Sequence, residues 1–536
     1  MLKKIILFQL LILSSLFSQQ KLIDYHTNNI LDINNIKLNV SNIGKLDLIP
    51  EAGGSGGVWR KIPGDPNHTI LYDQGLWVIG KINDEIHLSL SQWITFYSPG
   101  PIIDSSPAMQ YKPQDSLSYR VYKINRGDSN SNSDYRDWPV KFGAPQNSSG
   151  EPKLYGDQTL WTVYNGLDTT TSQRKNNSSG YVHQLKPFPV EVQQLMYGHQ
   201  GSYWDDKDIF SNVVFMEWTI INKGSQQIDS TFIGLWTDID FDWADNPPGV
   251  DTTLQLGYCW DRSYSTHSQY QPAVGYVLLF GPKVYSPGSS AVFKDKRISG
   301  YKNLGMTSFH GIDDDSDPTI ETGPAYFVQD AWYLAKGLTV GGKPRIDPTT
   351  GKTTKFQFSG DPVSKSGWWF TRGTGGGAGF NLFSGPFNLA PNDTQWIMMA
   401  FFPALGSDNM DSITKLRRKA KILRSLTYNQ LAFSTGRVPI DSSEASIIPT
   451  DFTVFNNYPN PFNNSTTLKF TLPSNGLLTV DLFDCLGRIE KRIYERYYDA
   501  GINYANISLN NYSSGVYFLR IQCKDKITVK KIVLLK

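Results

Sequence analysis

The spacing of apolar residues constrains the fold more than any other feature of this sequence. From residue 51 onward, aromatic and β-branched residues occur in short runs that Gly, Pro, Asn and Asp interrupt. This is the pattern of half-buried strands joined by turns, and the 14 Trp, 28 Tyr and 28 Phe suit broad strand faces. It predicts a mainly β protein built from several β-sandwiches with few helices. Examples of these runs are Leu76–Ile79, Ile86–Phe96, Asn212–Ile221, Thr231–Trp236 and Val274–Phe280.

Two segments carry helix signals instead. Residues 324–336 open with Pro324 and close before Gly337, which is the usual asymmetry of helix ends. Residues 407–433 carry one apolar stripe with three- and four-residue steps, and basic residues fill the remaining, solvated face. The stripe consists of Ile413, Leu416, Ala420, Leu423 and Leu426.

The N-terminus has the features of a secretory signal peptide. Lys3 and Lys4 precede the apolar run Ile5–Phe17, which is too short to span a bilayer as a helix. Ser18 is a small residue suited to cleavage. We therefore expect the inner-membrane export machinery and signal peptidase to act on residues 1–18.

Changes in composition divide the rest of the chain. Residues 19–50 are polar and Asn-rich, which predicts an N-terminal arm or linker. Residues 51–200 and 201–433 are predicted as two β-rich domains, the second with both helices. Residues 434–451, rich in Ser, Thr, Pro and Asp, are predicted as a linker to a last domain at 452–536. The net charge of +2 gives no sign of a nucleic-acid partner.

The last domain contains four motifs in a fixed order. In it Leu468, Phe470 and Leu472 alternate with polar residues, as do Leu478, Val480 and Leu482, which predicts a compact β-sandwich. The ordered motifs resemble the C-terminal sorting domain of type IX (Por) secretion. Their residues are Tyr458, Pro459, Asn460, Pro461 and Phe462, then Gly487 in the turn Asp484–Arg488, then Gly515 and Tyr517, and last Lys530 and Lys531.

The resemblance implies a route and a set of partners. Sorting domains of this family are Ig-like β-sandwiches that an outer-membrane translocon recognises after signal-peptide-dependent export through the periplasm. A surface transpeptidase commonly removes them and links the cargo to lipopolysaccharide, while some cargo is released. The resemblance thus implies a protein that is secreted or held at the outer cell surface, with a last domain that has no catalysis of its own.

An acidic cluster in the body is the strongest candidate for a metal site. Asp238, Asp240, Asp242 and Asp245 follow one another closely, and the first three point to one face if the strand continues. Carboxylates this close repel one another unless a cation lies among them, and Ca²⁺ prefers oxygen ligands. The spacing differs from an EF-hand loop. A solvated acidic loop and a catalytic carboxylate pair remain the alternatives.

Other chemistry finds little support in the sequence. Residues 53–57 read Gly-Gly-Ser-Gly-Gly, which is interpreted as a glycine loop rather than a nucleophile elbow. There is no His-Glu-x-x-His motif, so no catalytic residue is assigned. The acidic runs at Asp313–Asp317 and Asp205–Asp208 are interpreted as solvated turns. Three cysteines allow at most one disulfide, Cys485 with Cys523, and free thiols are the preferred interpretation.

The body also resembles an uncharacterised family of large bacterial surface proteins that carry this sorting domain. The resemblance rests on Asp137-Trp138-Pro139, Gly156–Trp161, Trp236–Asp251 and Phe358–Val363, and it implies location but no activity. We expect a non-enzymatic structural or adhesive protein, stabilised by Ca²⁺. The alternatives are an extracellular hydrolase that acts on glycans through paired carboxylates and a carbohydrate-binding protein with exposed Trp side chains. The candidate Trp residues are Trp77, Trp93, Trp161, Trp204, Trp368 and Trp369.

Overall fold

The computed structural model describes most of the chain between residue 26 and the C-terminus. The predicted signal peptide and residues 435–450 of the predicted linker lie outside the described residues. Among the helices of the described part, none is both long and apolar enough to cross a membrane. The described residues are 26–49, 55–62, 65, 67–92, 95–111, 113–168, 173–175, 182–201, 208–241, 245–262, 270–312, 324–371, 378–434, 451–457, 459–473, 476–498 and 501–536.

Strands dominate the structure, as the sequence pattern predicts. The strands of the body are β1 (Asn28–Leu31), β2 (Ile36–Ser41), β3 (Gly57–Trp59), β4 (His68–Leu71), β5 (Asp73–Ile82), β6 (Glu85–Leu90), β7 (Ser98–Pro99), β8 (Ile102–Ile103), β9 (Ser106–Pro107), β10 (Tyr122–Asn125), β11 (Gln158–Asn165), β12 (Gln173–Lys175), β13 (Val182–Gln184), β14 (Val190–Gly198), β15 (Val214–Asn222), β16 (Ile228–Ile239), β17 (Pro248–Asp251), β18 (Leu256–Trp260), β19 (Ala273–Phe280), β20 (Lys283–Phe293), β21 (Lys296–Asn303), β22 (Ser308–Ile312), β23 (Ala378–Leu389) and β24 (Thr394–Ala404).

The C-terminal domain adds seven strands, and helices are few. The strands are β25 (Thr453–Val454), β26 (Ser465–Leu472), β27 (Gly476–Phe483), β28 (Ile489–Tyr498), β29 (Gly501–Ser508), β30 (Gly515–Cys523) and β31 (Lys526–Leu534). The α-helices are α1 (Ala108–Tyr111), α2 (Ser133–Arg136), α3 (Pro324–Ala335), α4 (Asn409–Ser425) and α5 (Tyr428–Phe433).

Two large antiparallel sheets form the centre of the body. The larger has nine strands, in the order β10-β11-β14-β15-β24-β19-β18-β17 with β7 on β11, and the smaller has five, in the order β22-β23-β16-β5-β6. Ile233 and Leu235 of β16 are buried in the core that also holds Met216 of β15 and Phe401 of β24. Because side chains alternate along a strand, Trp236 lies on the opposite face of the small sheet. The body is therefore a β-sandwich, and the apolar side chains on its outer faces must also be buried.

Helices cover both outer faces of the sandwich. Helix α4 places Ile413 and Leu416 of the predicted apolar stripe in a core with Phe402 of β24. Helix α3 packs Phe327 against the face of the small sheet that carries Trp236. Both helical segments thus occur where the sequence indicates them, because each apolar stripe has a sheet face to bury.

The predicted division of the body at residue 200 is corrected by the strand pairing. Strand β14 lies before the predicted boundary and pairs along its length with β15, which lies after it. Strand β5 likewise pairs with β16 in the small sheet. The two predicted domains therefore share both sheets and one core. Local hydrophobic patterns give the strands but not their partners, so they do not show that distant segments enter one sheet.

The predicted N-terminal arm is ordered and packs on the body. Strands β1 and β2 belong to a four-stranded sheet with β3 and β4. Leu31 and Ile36 are fully buried, and the Asn34 side chain donates a hydrogen bond to the carbonyl of Val213 at 2.9 Å. From residue 26 onward this segment is therefore an arm of the body rather than a linker.

The C-terminal domain is a β-sandwich of a three-stranded sheet, β25-β26-β29, and a four-stranded sheet, β28-β27-β30-β31. The alternating Leu468, Phe470 and Leu472 of β26 meet Leu478 and Val480 of β27 in its core. The alternation seen in the sequence thus corresponds to the inward face of each strand.

Candidate functional site

The first and last motifs of the C-terminal domain are in direct contact. The segment at Phe462 lies along β31, which is an edge of the four-stranded sheet. The Phe462 N–H donates to the Val533 carbonyl at 3.0 Å, and the Leu535 N–H donates to the Phe462 carbonyl at 2.8 Å. The Phe462 ring is 3% exposed and shares the domain core with Leu534. The motif therefore covers part of an edge that would otherwise offer unpaired backbone groups.

Asn460 adds a side-chain link to the same edge. Its Oδ1 accepts a hydrogen bond from the Val533 N–H at 2.9 Å, and its Nδ2 donates to the Lys531 carbonyl at 3.3 Å. Nδ2 also lies 3.2 Å from Oδ1 of Asn457. An amide side chain has both a donor and an acceptor, so Asn460 satisfies two backbone groups of one strand. We call the contact of Asn460 and Phe462 with β31 the motif clamp.

Neighbouring residues hold the motif clamp in place. Thr466 Oγ1 donates to the Pro459 carbonyl at 2.7 Å and accepts from Asn457 Nδ2 at 2.9 Å. Pro461 is exposed between the two clamp residues, and Tyr458 lies outside the described residues. The contacts of Asn457, Thr466 and Val533 were not predicted from the sequence, because nothing in a local pattern marks a residue as a partner of a distant strand.

The remaining motif residues have local roles. Gly487 has a φ of 77° in the turn after Asp484, a backbone conformation that favours glycine. The backbone N–H of Arg488 and its side chain hydrogen-bond to Asp484 and lower the pKa of that carboxyl. Gly515 begins β30, and Tyr517 donates its hydroxyl to the Ser513 carbonyl at 2.9 Å.

The two motif lysines lie on the clamped strand. Lys531 provides the carbonyl that Asn460 binds, and Lys530 Nζ lies 3.5 Å from Oδ1 of Asn456. The Lys530 side chain therefore points toward the segment that precedes the first motif, so both ends of the domain contribute to one surface.

The comparison with protein families decides what this domain is. Residues 456–535 match the family described as "Secretion system C-terminal sorting domain". This part of the chain is a C-terminal sorting domain. The sorting domain marks the whole chain as an exported protein that type IX secretion carries to the cell surface or the extracellular space. It also implies that the chain interacts with the type IX secretion machinery.

The other comparisons say little about the body. No curated protein matches the chain. A polysaccharide lyase structure aligns with 9% identity and a TM-score of 0.19, over 86% of this chain and 47% of the lyase. The dimeric latent PorU of Porphyromonas gingivalis aligns with 12% identity and a TM-score of 0.14, over 73% of this chain and 33% of PorU. The chain thus spans less than half of either protein, and TM-scores this low carry no argument.

The structure describes three members of the predicted acidic cluster. Asp238, at the end of β16, and Asp240 are half-buried, whereas Asp245 is 2.8 Å from the Arg262 guanidinium. Asp242 lies outside the described residues. Among the described residues, no group of three or more His, Cys, Asp or Glu side chains is arranged to hold a metal ion. Calcium binding by this cluster remains a prediction.

The structure bears on three further expectations. The runs Asp313–Asp317 and Asp205–Asp206 lie outside the described residues, while Asp208 caps a short 3₁₀ turn through the Phe210 N–H. The three cysteines are free thiols. Of the candidate Trp residues, Trp77 and Trp161 are buried, Trp368 and Trp369 are half-buried, and Trp93 and Trp204 lie outside the described residues.

An open groove of about 730 Å³ lies on the described part of the body. Trp138 and Tyr122 are among its lining residues, and the Arg120 guanidinium covers the Tyr122 ring at 4.0 Å from the ring centroid. Arg120 is fixed by Asp134 at 2.9 Å, and Asp137 lies 3.6 Å from it. Among the described residues that line the groove, Asp137 is the one acid. The groove therefore combines buried aromatic residues with a charged pair that can form hydrogen bonds.

Proposed function

We propose that type IX secretion recognises the folded form of residues 452–536 and that the motif clamp is part of the recognised surface. The observation that carries this proposal is the bond from the Val533 N–H to Asn460 Oδ1, which joins the first motif to the last at 2.9 Å. Residues far apart in sequence thus form one continuous surface. A translocon that binds this surface selects folded cargo and reads both motifs at once.

Single substitutions test the clamp without removing the domain. Asn460→Ala deletes both side-chain links to β31, whereas Asn464→Ala changes an exposed residue of the same segment and serves as the matched control. In a bacterium with type IX secretion, we expect Asn460→Ala to lower the ratio of surface to periplasmic protein several-fold. Asn464→Ala should leave that ratio unchanged. Equal ratios for both variants would contradict the role of the clamp.

We also propose two processing steps, one before translocation across the outer membrane and one after it. Signal peptidase removes residues 1–18, and a surface transpeptidase cleaves between the body and the sorting domain and attaches the body to lipopolysaccharide. Intact mass spectrometry of the surface form tests both steps. An intact sorting domain on the surface form would contradict transpeptidase cleavage.

For the body, the groove favours a binding protein over an enzyme. Hydrolysis of a glycosidic bond needs two carboxyl groups on either side of the bond. Asp137 is the one acid among the described lining residues, and Asp134 is held by Arg120 and by the Lys123 N–H at 2.9 Å. The exposed Asp137 carboxylate and the Arg120 guanidinium, 3.6 Å apart, offer an acceptor and donors that suit the hydroxyl groups of a saccharide. We therefore propose a non-enzymatic, adhesive surface protein whose groove binds an extracellular glycan.

A glycan array with calcium-replete protein tests the groove. Asp137→Asn should lose binding of the glycan that the natural protein retains, since a carboxylate is a stronger acceptor than an amide. Asp84→Asn, in an exposed turn, is the control and should bind as the natural protein does. Release of sugar fragments from the bound glycan would instead show an enzyme.

A further inference from the structure

One row of side chains on the small sheet is buried and polar. His310 of β22 pairs directly with Asn381 of β23, which in turn pairs with Trp236 of β16. Directly opposed residues of antiparallel strands point to the same face, so all three side chains lie on the face that α3 covers. His310 is 4% exposed and Asn381 is 0% exposed. Polar groups at this depth need partners.

Arg345 reaches this row from the segment after α3. Its Nη2 donates to Nδ1 of His310 at 3.0 Å and to the Leu338 carbonyl at 3.3 Å. Because a guanidinium only donates, Nδ1 of His310 accepts, and the ring proton of a neutral imidazole is then on Nε2. The His310 side chain is thereby fixed with an N–H on its far side.

The charge of Arg345 has no counterpart in the described part of the chain. The residue is 6% exposed, and no described carboxylate lies within ion-pair distance. Burial lowers the pKa of Arg345 to about 10, so the group remains charged at neutral pH. A buried charge is strongly destabilising unless an opposite charge lies close to it.

Hydrogen-bonding groups of Arg345 and of the buried polar row also lack partners. Within the described residues, Nε of Arg345 and both Nδ2 and Oδ1 of Asn381 have no hydrogen-bond partner. Nε of Arg345 and Nδ2 of Asn381 are donors, so the missing partner is mainly a hydrogen-bond acceptor. A water molecule can serve the amide oxygen and single N–H groups, but it does not neutralise a guanidinium.

We propose that Arg345, Asn381 and His310 form an internal binding site for a small monovalent anion, such as chloride or a short carboxylate. The anion accepts hydrogen bonds from Arg345 Nε and Asn381 Nδ2 and supplies the missing negative charge. Its contribution is to the stability of the small sheet, where it neutralises the buried guanidinium behind α3. This inference does not depend on the proposed functions of the sorting domain or the groove.

Thermal unfolding of the full chain at constant ionic strength tests the site. A bulky sulfonate serves as the reference anion, and chloride or formate replaces it stepwise. A ligand that binds the folded state alone raises the melting temperature with its concentration. We expect chloride, formate or both to raise it by a few degrees, and the anion that acts identifies the preferred ligand. A melting temperature independent of both anions would overturn the proposal.

Arg345→Met assigns any such effect to this site. The substitution keeps an unbranched, flexible side chain and removes the charge, so the variant should lose the anion dependence. In the reference salt it should melt no lower than the natural protein, because an uncompensated buried charge has been removed. Arg262→Met is the control: Arg262 has a carboxylate partner in Asp245, and this variant should lose stability yet keep the anion dependence.

A second measurement does not require the variant to fold. Chloride-35 NMR line broadening by the natural protein should decrease when formate competes for the site. Absence of broadening with no effect of either anion on melting would overturn the proposal, as would an unchanged anion dependence in Arg345→Met. A loss of stability in Arg345→Met that is equal in all salts, without any anion effect on the natural protein, would show that a carboxylate of the chain supplies the charge.

Discussion

The Oδ1 atom of Asn460 accepts a hydrogen bond from the backbone N–H of Val533 at 2.9 Å, so one side chain connects the two ends of the sorting domain. Asn460→Ala leaves this N–H at a strand edge without its protein partner. We expect the domain to lose about 1–2 kcal/mol of stability, the usual contribution of such bonds. Hydrogen exchange at the Val533 amide should accelerate, whereas Asn464→Ala should leave it unchanged. Equal exchange in both variants would show that the bond is not formed in solution.

Phe462 provides the apolar half of the motif clamp. Phe462→Ala should destabilise the sorting domain by about 3–5 kcal/mol, because the ring is buried in the core and leaves a cavity. Phe455→Ala, whose ring is 42% exposed, should cost less than about 1 kcal/mol. Urea unfolding monitored by tyrosine fluorescence compares the two. Similar losses in both variants would contradict the burial of Phe462.

Asp73 should make stability depend on pH. The residue is buried beside Lys45 at 2.9 Å, and burial raises its pKa to about 6. The pKa of Asp73 in the unfolded chain is about 4. Between pH 4 and pH 6 the folded state therefore binds more protons than the unfolded state, so the free energy of unfolding falls as pH rises. The stability that the protonated Asp73 side chain contributes is present in full below about pH 4 and is lost as the pH rises to about 6.

The Asp73→Asn variant isolates this effect. The difference in unfolding free energy between the natural protein and the variant should decrease by about 2–3 kcal/mol from pH 4 to pH 6. A difference that stays constant or increases over this range would show that pairing with Lys45, rather than burial, determines the pKa of Asp73.

Calcium binding by the acidic cluster is open to a direct measurement. If Asp238, Asp240, Asp242 and Asp245 hold Ca²⁺, excess calcium should raise the melting temperature above that in chelator. Asp240→Asn should reduce this shift, and Asp84→Asn in its exposed turn should not. Identical melting in calcium and chelator would eliminate the hypothesis.

Local patterns in the sequence predict the elements of this protein well. The stripe from Ile413 to Leu423 becomes one buried face of α4. The predicted helix nevertheless ends early, because Thr427 and Gln430 form a capping box that starts α5. Side-chain chemistry at the boundary thus divided a segment whose periodicity looked continuous.

Contacts between distant segments could not be predicted in the same way. Asn460 and Val533, or Arg345 and His310, are brought together by side-chain contacts between distant segments, which leave no trace in the periodicity of either segment. For the same reason the sequence did not show that β14 and β15 continue one sheet across residue 200. Of the residues that line the groove, Asp137, Trp138 and Pro139 enter the sequence analysis only as part of a family resemblance, and Arg120 and Tyr122 carried no signal.

The central claim is that residues 452–536 direct export, and deletion of these residues tests it most directly. The amount of body protein on the cell surface and in the periplasm is measured for the full chain and for the truncated chain. Our account predicts that the truncated body is folded, accumulates in the periplasm and is absent from the surface. Surface display of the truncated body at the level of the full chain would contradict it.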